Sequence, residues 1–98
     1  MDVQFANKDL DRSETDANFD AGFPPEVVKA FRKRMQAIRA ALDERAFYAM
    51  KSFHFEKLKG NRAHQRSMRL NKQWRLILEI KRLDAGTMVV VIDIEDYH

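Results

Sequence analysis

The 98-residue sequence has no cysteine, two prolines and three glycines. Without cysteine there is no disulfide framework, no thiol nucleophile and no thiolate metal site, an absence that fits a reducing compartment. No apolar run approaches the roughly 20 residues needed to cross a bilayer, so no membrane association is expected. Asp2, Asp9 and Asp11 stand where an export signal needs a basic start and an apolar stretch; a cytoplasmic protein is expected. Carboxylates nowhere cluster with histidines at ligand spacing, and Asp93, Glu95 and Asp96 are too few and too sequential to hold a catalytic metal. Neither a metal site nor a cofactor is expected. No repeat, low-complexity tract or linker is visible, and residues 1–98 read as one domain.

Hydrophobic residues make up 45% of the chain and charged residues 34%, the composition of a globular rather than a disordered protein. The net charge is only +3, but it is unevenly spread. Residues 51–82 hold ten basic side chains against Glu56 and Glu79, a net +8, whereas residues 1–50 carry −1 and residues 83–98 carry −4. A concentrated basic segment in a nearly balanced chain is the footprint of a phosphate-bearing partner. A solvated basic face without a ligand would look the same.

Residues 3–5 suggest a short opening strand, and residues 7–18 a short polar helix. Gly22-Phe23-Pro24-Pro25 marks a break, with proline suited to a first helical turn. Val27, Val28, Phe31, Met35, Ile38 and Leu42 then recur at spacings of three and four, which predicts one apolar helix face. A further helical turn or two is expected within residues 44–50. After this the period changes. Residues 53–58 alternate up to the turn signal Gly60-Asn61, residues 66–70 alternate again, and Asn71-Lys72 reads as a tight turn. Trp74, Leu76, Leu78 and Ile80 share one side of a longer strand, with Arg75, Ile77, Glu79 and Lys81 on the other. Asp84-Ala85-Gly86 is a turn, and residues 88–94 form a β-branched, central or near-central strand. The expected architecture is α+β, with N-terminal helices packed on one face of an antiparallel sheet.

This alternation sends Arg75 to the face opposite the helices. Arg66 and Arg69 differ in parity, so a regular strand cannot place both on one face. Some of these cations, with the loop bearing Lys57, Lys59 and Arg62, make a plausible platform for phosphates. Three constellations carry candidate chemistry: the basic turn at 56–62, the segment at 71–76, and the final Glu95-Asp96-Tyr97-His98.

Together they resemble the HigB-type toxins of the RelE/ParE superfamily. The resemblance lies in Leu58-Lys59-Gly60-Asn61-Arg62, in Ser67-Met68-Arg69-Leu70-Asn71-Lys72-Gln73-Trp74-Arg75-Leu76, and in Asp96-Tyr97-His98. It covers about the last 45 residues well and the helical half only in general layout. It implies a RelE-like fold and a messenger RNA endoribonuclease acting in the ribosome. It also implies a HigA-like helix-turn-helix antitoxin, with operator DNA contacted only through the antitoxin complex. Asp96, Tyr97 and His98 would contribute directly to cleavage. Many relatives carry a histidine two residues before the loop leucine, where this chain has Glu56; His54 has the same strand parity.

Cleavage by attack of the 2′-hydroxyl on the adjacent phosphate needs a base, a stabiliser of the developing charge and an acid for the leaving oxygen. Lys59 and Arg75 suit charge stabilisation, lysine as a point charge and arginine as a bidentate fork. An unperturbed histidine titrates at about 6.5, so His98 could move a proton near working pH. Lys57, Arg62, Arg66 and Arg69 are candidate RNA-binding side chains. The plainer alternatives are an exposed turn lysine at 59, a cross-strand pair of Arg75 with a neighbour such as Glu79, and a frayed terminal tail. Trp74 continues an apolar strand face and is read as core. Two rival functions remain: ParE-like action on DNA gyrase, and non-catalytic nucleic-acid binding by the basic stretch alone.

Overall fold

The computed structural model describes residues 1–97. The elements run β1 (Asp2–Phe5), α1 (Lys8–Thr15), α2 (Pro25–Ala40), α3 (Arg45–Ala49), β2 (Glu56–Lys57), β3 (Gln65–Arg69), β4 (Trp74–Leu83) and β5 (Gly86–Asp96). Short 3-10 turns occupy Lys51–Phe53 and Gly60–Arg62. One five-stranded sheet has the order β1-β5-β4-β3-β2. Its β2–β5 part is an antiparallel meander, as the alternation predicts. The expectation of a wholly antiparallel sheet is corrected at one edge: β1 runs parallel to β5, with Val3 opposite Val89 and Phe5 opposite Val91. A parallel pair needs a crossover connection, and here everything between residues 5 and 86 supplies it.

Pro25 opens α2, and its apolar stripe of Val27, Val28, Phe31, Met35 and Ile38 is fully buried. Phe31, Met35 and Ile38 join Met68, Leu76, Leu78, Val89 and Val91 of the sheet in one core. Trp74 packs against this core and meets Phe23 edge-on at 5.6 Å. The helical spacing misleads at Leu42, which is 94% exposed. Ala41 is already extended (ψ 145°), and the Asp43 carboxylate accepts the Arg45 N–H. That local side-chain bond offers the backbone an alternative to another helical turn, so Leu42 loses the phase of the stripe. Asn7 starts α1 by accepting the Asp9 and Leu10 N–H groups, and its amide donates to Asp93 on β5.

The strand expected over residues 53–58 shrinks to Glu56–Lys57. Phe53 and Phe55 do point into the core together, Phe55 against Phe47 at 5.2 Å. Between them, however, His54 is left-handed (φ 43°, ψ 48°), which breaks the extended run. No helix among the described residues is long and apolar enough to cross a membrane.

Candidate active site

Strand register decides which cations share a face. The core side of β4 is formed by Leu76 and Leu78; Ile77 is buried too, at 2% exposure, but lies outside that core cluster, on the reverse face. Arg75 stands on this reverse face, flanked in register by Arg69 of β3 and Glu95 of β5. Arg66 pairs with Leu78 and Lys57, so it belongs to the opposite parity. The predicted separation of Arg66 from Arg69 therefore holds.

Arg75 is the hub. Its side chain is only 15% exposed. One guanidinium nitrogen lies 3.7 Å from the Glu56 carboxylate and donates to the His54 carbonyl at 3.4 Å. The guanidinium carbon sits 4.8 Å from the centre of the Tyr97 ring, within cation–π range. Next to these groups opens a cleft of about 340 Å³ lined by Glu56, Lys57, Leu58, Lys59 and Tyr97. Lys57 and Lys59 are exposed, and among the described residues no hydrogen bond or ion pair engages the side chain of either. Tyr97 is 57% exposed, and its backbone N–H donates to the Gln73 carbonyl at 2.6 Å, which fixes it beside the β3–β4 turn.

The other candidates are placed differently. Arg69 bends to the Asn71 carbonyl (3.1 Å), with its Nη1 3.2 Å from His54 Nε2. Arg66 donates to the carbonyls of Ala63 and Gln65. Arg62 makes a two-pronged pair with Glu95, at 3.0 and 2.7 Å, and donates to Gln65 at 2.9 Å. Hydrogen bonding to Glu95 raises the Arg62 pKa above the ordinary arginine value. The Asp96 carboxylate receives the Gln73 side-chain amide at 3.0 Å, and its register partner is Trp74. His98 lies outside the described residues.

The structure thus brings Lys57, Lys59 and Tyr97 to one cleft, adds Glu56, and sets Arg75 against its Glu56 and Tyr97 walls. It directs Arg62, Arg66 and Asp96 to protein partners. Glu79, the ion-pair partner expected for Arg75, lies four residues along the same strand and faces His64 at 3.4 Å instead. Between Glu56 and His54, it is Glu56 that lines the cleft. The signal for it was in the sequence, a lone carboxylate among the cations of the 56–62 turn. Among the described residues, no group of three or more His, Cys, Asp or Glu side chains is placed to hold a metal ion.

A model of the HigB-like toxins, described as RelE-like toxins of type II toxin–antitoxin systems, matches residues 3–98. The chain belongs to this family. The same fold recurs in solved structures of low identity. A YoeB/ParE toxin from Agrobacterium tumefaciens is 16% identical, with TM-score 0.62 and both chains fully covered. A chain of the YoeB–YefM complex from Staphylococcus aureus is 17% identical, with TM-score 0.56 over all of this chain and 97% of that one. The protein HP0894 from Helicobacter pylori is 16% identical, with TM-score 0.53 over 98% and 93%. No curated protein matches the sequence. For a HigB-like toxin, the cleft between the 56–59 segment and Tyr97 is the place where basic, acidic and aromatic side chains converge.

Proposed function

We propose that this HigB-like toxin is an endoribonuclease that cuts messenger RNA on the ribosome, with the Arg75 cleft as its active site. The observation that carries the reading is the surrounding of Arg75: one guanidinium touches a carboxylate and an aromatic face at the mouth of a cleft lined by two lysines. Those are the parts that 2′-hydroxyl attack requires. The Glu56 carboxylate accepts the 2′-hydroxyl proton as the O2′–P bond forms. Arg75 and Lys59 neutralise the charge that builds on the phosphorane oxygens. The P–O5′ bond then breaks, and the leaving oxygen takes a proton from His98 or Tyr97, leaving a cyclic phosphate and a 5′-hydroxyl. Tyr97 offers a stacking face for a base. Asp96, next in sequence, supports this terminal group.

Lys57, Arg66 and Arg69 supply surrounding positive charge for the RNA backbone. Arg62 reaches a phosphate only by giving up Glu95. Membership of a toxin–antitoxin family supports a neutralising partner, for which we propose a HigA-like helix-turn-helix antitoxin; operator DNA is contacted through that complex. Action on the ribosome places the toxin in the cytoplasm.

The test is to map transcript ends in translating extracts supplied with the wild-type, Lys59→Ala and Arg75→Ala proteins. Wild type should produce discrete new ends. Each variant should be slower by about 10²–10³, the range for losing one charge-stabilising donor. Uncut messages with blocked gyrase supercoiling would replace this reading by a gyrase inhibitor. Salt-sensitive RNA binding without any cutting would replace it by a non-catalytic binder.

A further inference from the structure

The cleft has two walls of unequal firmness. Tyr97 extends from β5, the near-central strand, and its N–H is tied to Gln73. The opposite wall hangs on β2, an edge strand only two residues long. Beyond it, Leu58 N–H reaches Gln65, and after that the backbone bonds are local: Arg62 N–H to Lys59 and Ala63 N–H to Gly60. The ladder therefore ends before Lys59. What ties the following turn to the rest of the sheet is the side chain of Arg62, which crosses to Glu95 with both terminal nitrogens. Its third donor, Nε, is taken by Gln65 of β3.

We infer that Arg62 and Glu95 form a positioning clamp, which fixes the Lys59 wall at its distance from Tyr97, and that Arg62 is not itself a phosphate ligand. The inference rests on the reading of this cleft as the cleavage site. Both side chains are about 40% exposed, and an ion pair so exposed to water and salt contributes little to global stability. Its value is geometric. The planar guanidinium and the carboxylate meet in one orientation. One partner begins two residues before Tyr97 and the other ends the turn that starts at Gly60.

Electrostatics and positioning predict opposite signs for Glu95→Gln. Removing a carboxylate beside an anion site raises the local positive potential, so electrostatics alone makes RNA bind more tightly and cleavage no slower. Loss of the clamp leaves KM nearly unchanged and lowers kcat, by about ten- to a hundredfold for a misplacement on the order of 1 Å.

Three measurements together test this. In single-turnover cleavage, Glu95→Gln and Arg62→Ala should each lose kcat, and the double variant should be no slower than the worse single one. In a Lys59→Ala background, Glu95→Gln should cost nothing further, because the clamp acts through Lys59. In the free protein, backbone order parameters at 59–61 should lie near the rigid value of about 0.85 and fall towards about 0.6 in Glu95→Gln, with β4 unchanged. Unchanged order parameters overturn the clamp whatever the cleavage result. So does a Glu95→Gln protein that cleaves as fast as wild type while Arg62→Ala does not, which makes Arg62 an RNA contact. If the wild-type protein cuts nothing yet its order parameters fall as described, the nuclease reading is lost and the clamp stands.

Discussion

Arg69 and Arg75 are direct partners across β3 and β4. Like charges placed opposite one another weaken a sheet, and nothing in the packing of the core asks for either. The chain accommodates them by bending Arg69 to the Asn71 carbonyl and by holding Arg75 between Glu56 and the Tyr97 ring. A local choice that works against the fold marks a functional position. Arg75→Met keeps the length of the side chain, removes one of the opposed charges and leaves an exposed Glu56 in water. Its unfolding free energy, measured by urea titration, should change by no more than about 1 kcal/mol, because methionine fills the largely buried space and the pair with the exposed Glu56 contributes little. Cleavage should slow by about 10²–10³, as for Arg75→Ala. A loss of several kcal/mol would instead make Arg75 a structural arginine.

Among the elements, the most legible were those whose period is set by one buried face. α2 follows its stripe from Val27 to Ile38, and β4 and β5 follow the alternation of Leu76 and Leu78 and the β-branched run at 88–94. Where a local backbone preference cuts across the pattern, the sequence misleads. Leu42 continues the helical spacing after the helix has ended. Phe53 and Phe55 keep strand spacing around a left-handed His54. The parallel pairing of β1 was not legible because a four-residue strand does not show which partner it will find. The site divides in the same way. The face of Arg75 follows from strand parity and the place of Tyr97 from its following β5 directly, whereas the commitments of Arg62 to Glu95 and of Asp96 to Gln73 depend on contacts between distant segments.

The turn at 60–62 was legible from Gly60, and here the glycine has a conformational reason. It sits at φ 65°, with nothing within 4 Å of where a Cβ would stand. The penalty of Gly60→Ala is therefore conformational strain alone, on the order of 1–2 kcal/mol for a left-handed residue. Gly60→Asn should lose less, because asparagine tolerates that region. Equal losses for the two variants, read by urea unfolding, would show that something other than φ governs the position.

Over the whole molecule, the net +8 of residues 51–82 does not become a bare positive surface. Acids from other segments are set against it: Glu95 against Arg62, and the buried Glu44 against Arg82. Glu56 and Glu79 answer Arg75 and His64 from within the segment. Lys57 and Lys59, exposed on the cleft, are the cations of this group that line it. The segment charge alone therefore does not locate a binding surface; on the proposed function, local pairing decides where an RNA phosphate can sit. The central claim is that this toxin cleaves RNA at the end of its sheet, where Tyr97 and His98 follow β5. Tyr97 is largely exposed, and β5 is held by β1 and β4 over residues 86–96, so a chain ending at Asp96 should keep its fold. The decisive measurement compares transcript ends in translating extracts given the full chain or the 1–96 chain, with circular dichroism confirming that both are folded. The account predicts discrete cuts with the full chain and none with the shortened one; a folded 1–96 chain that cuts at the wild-type rate would contradict it.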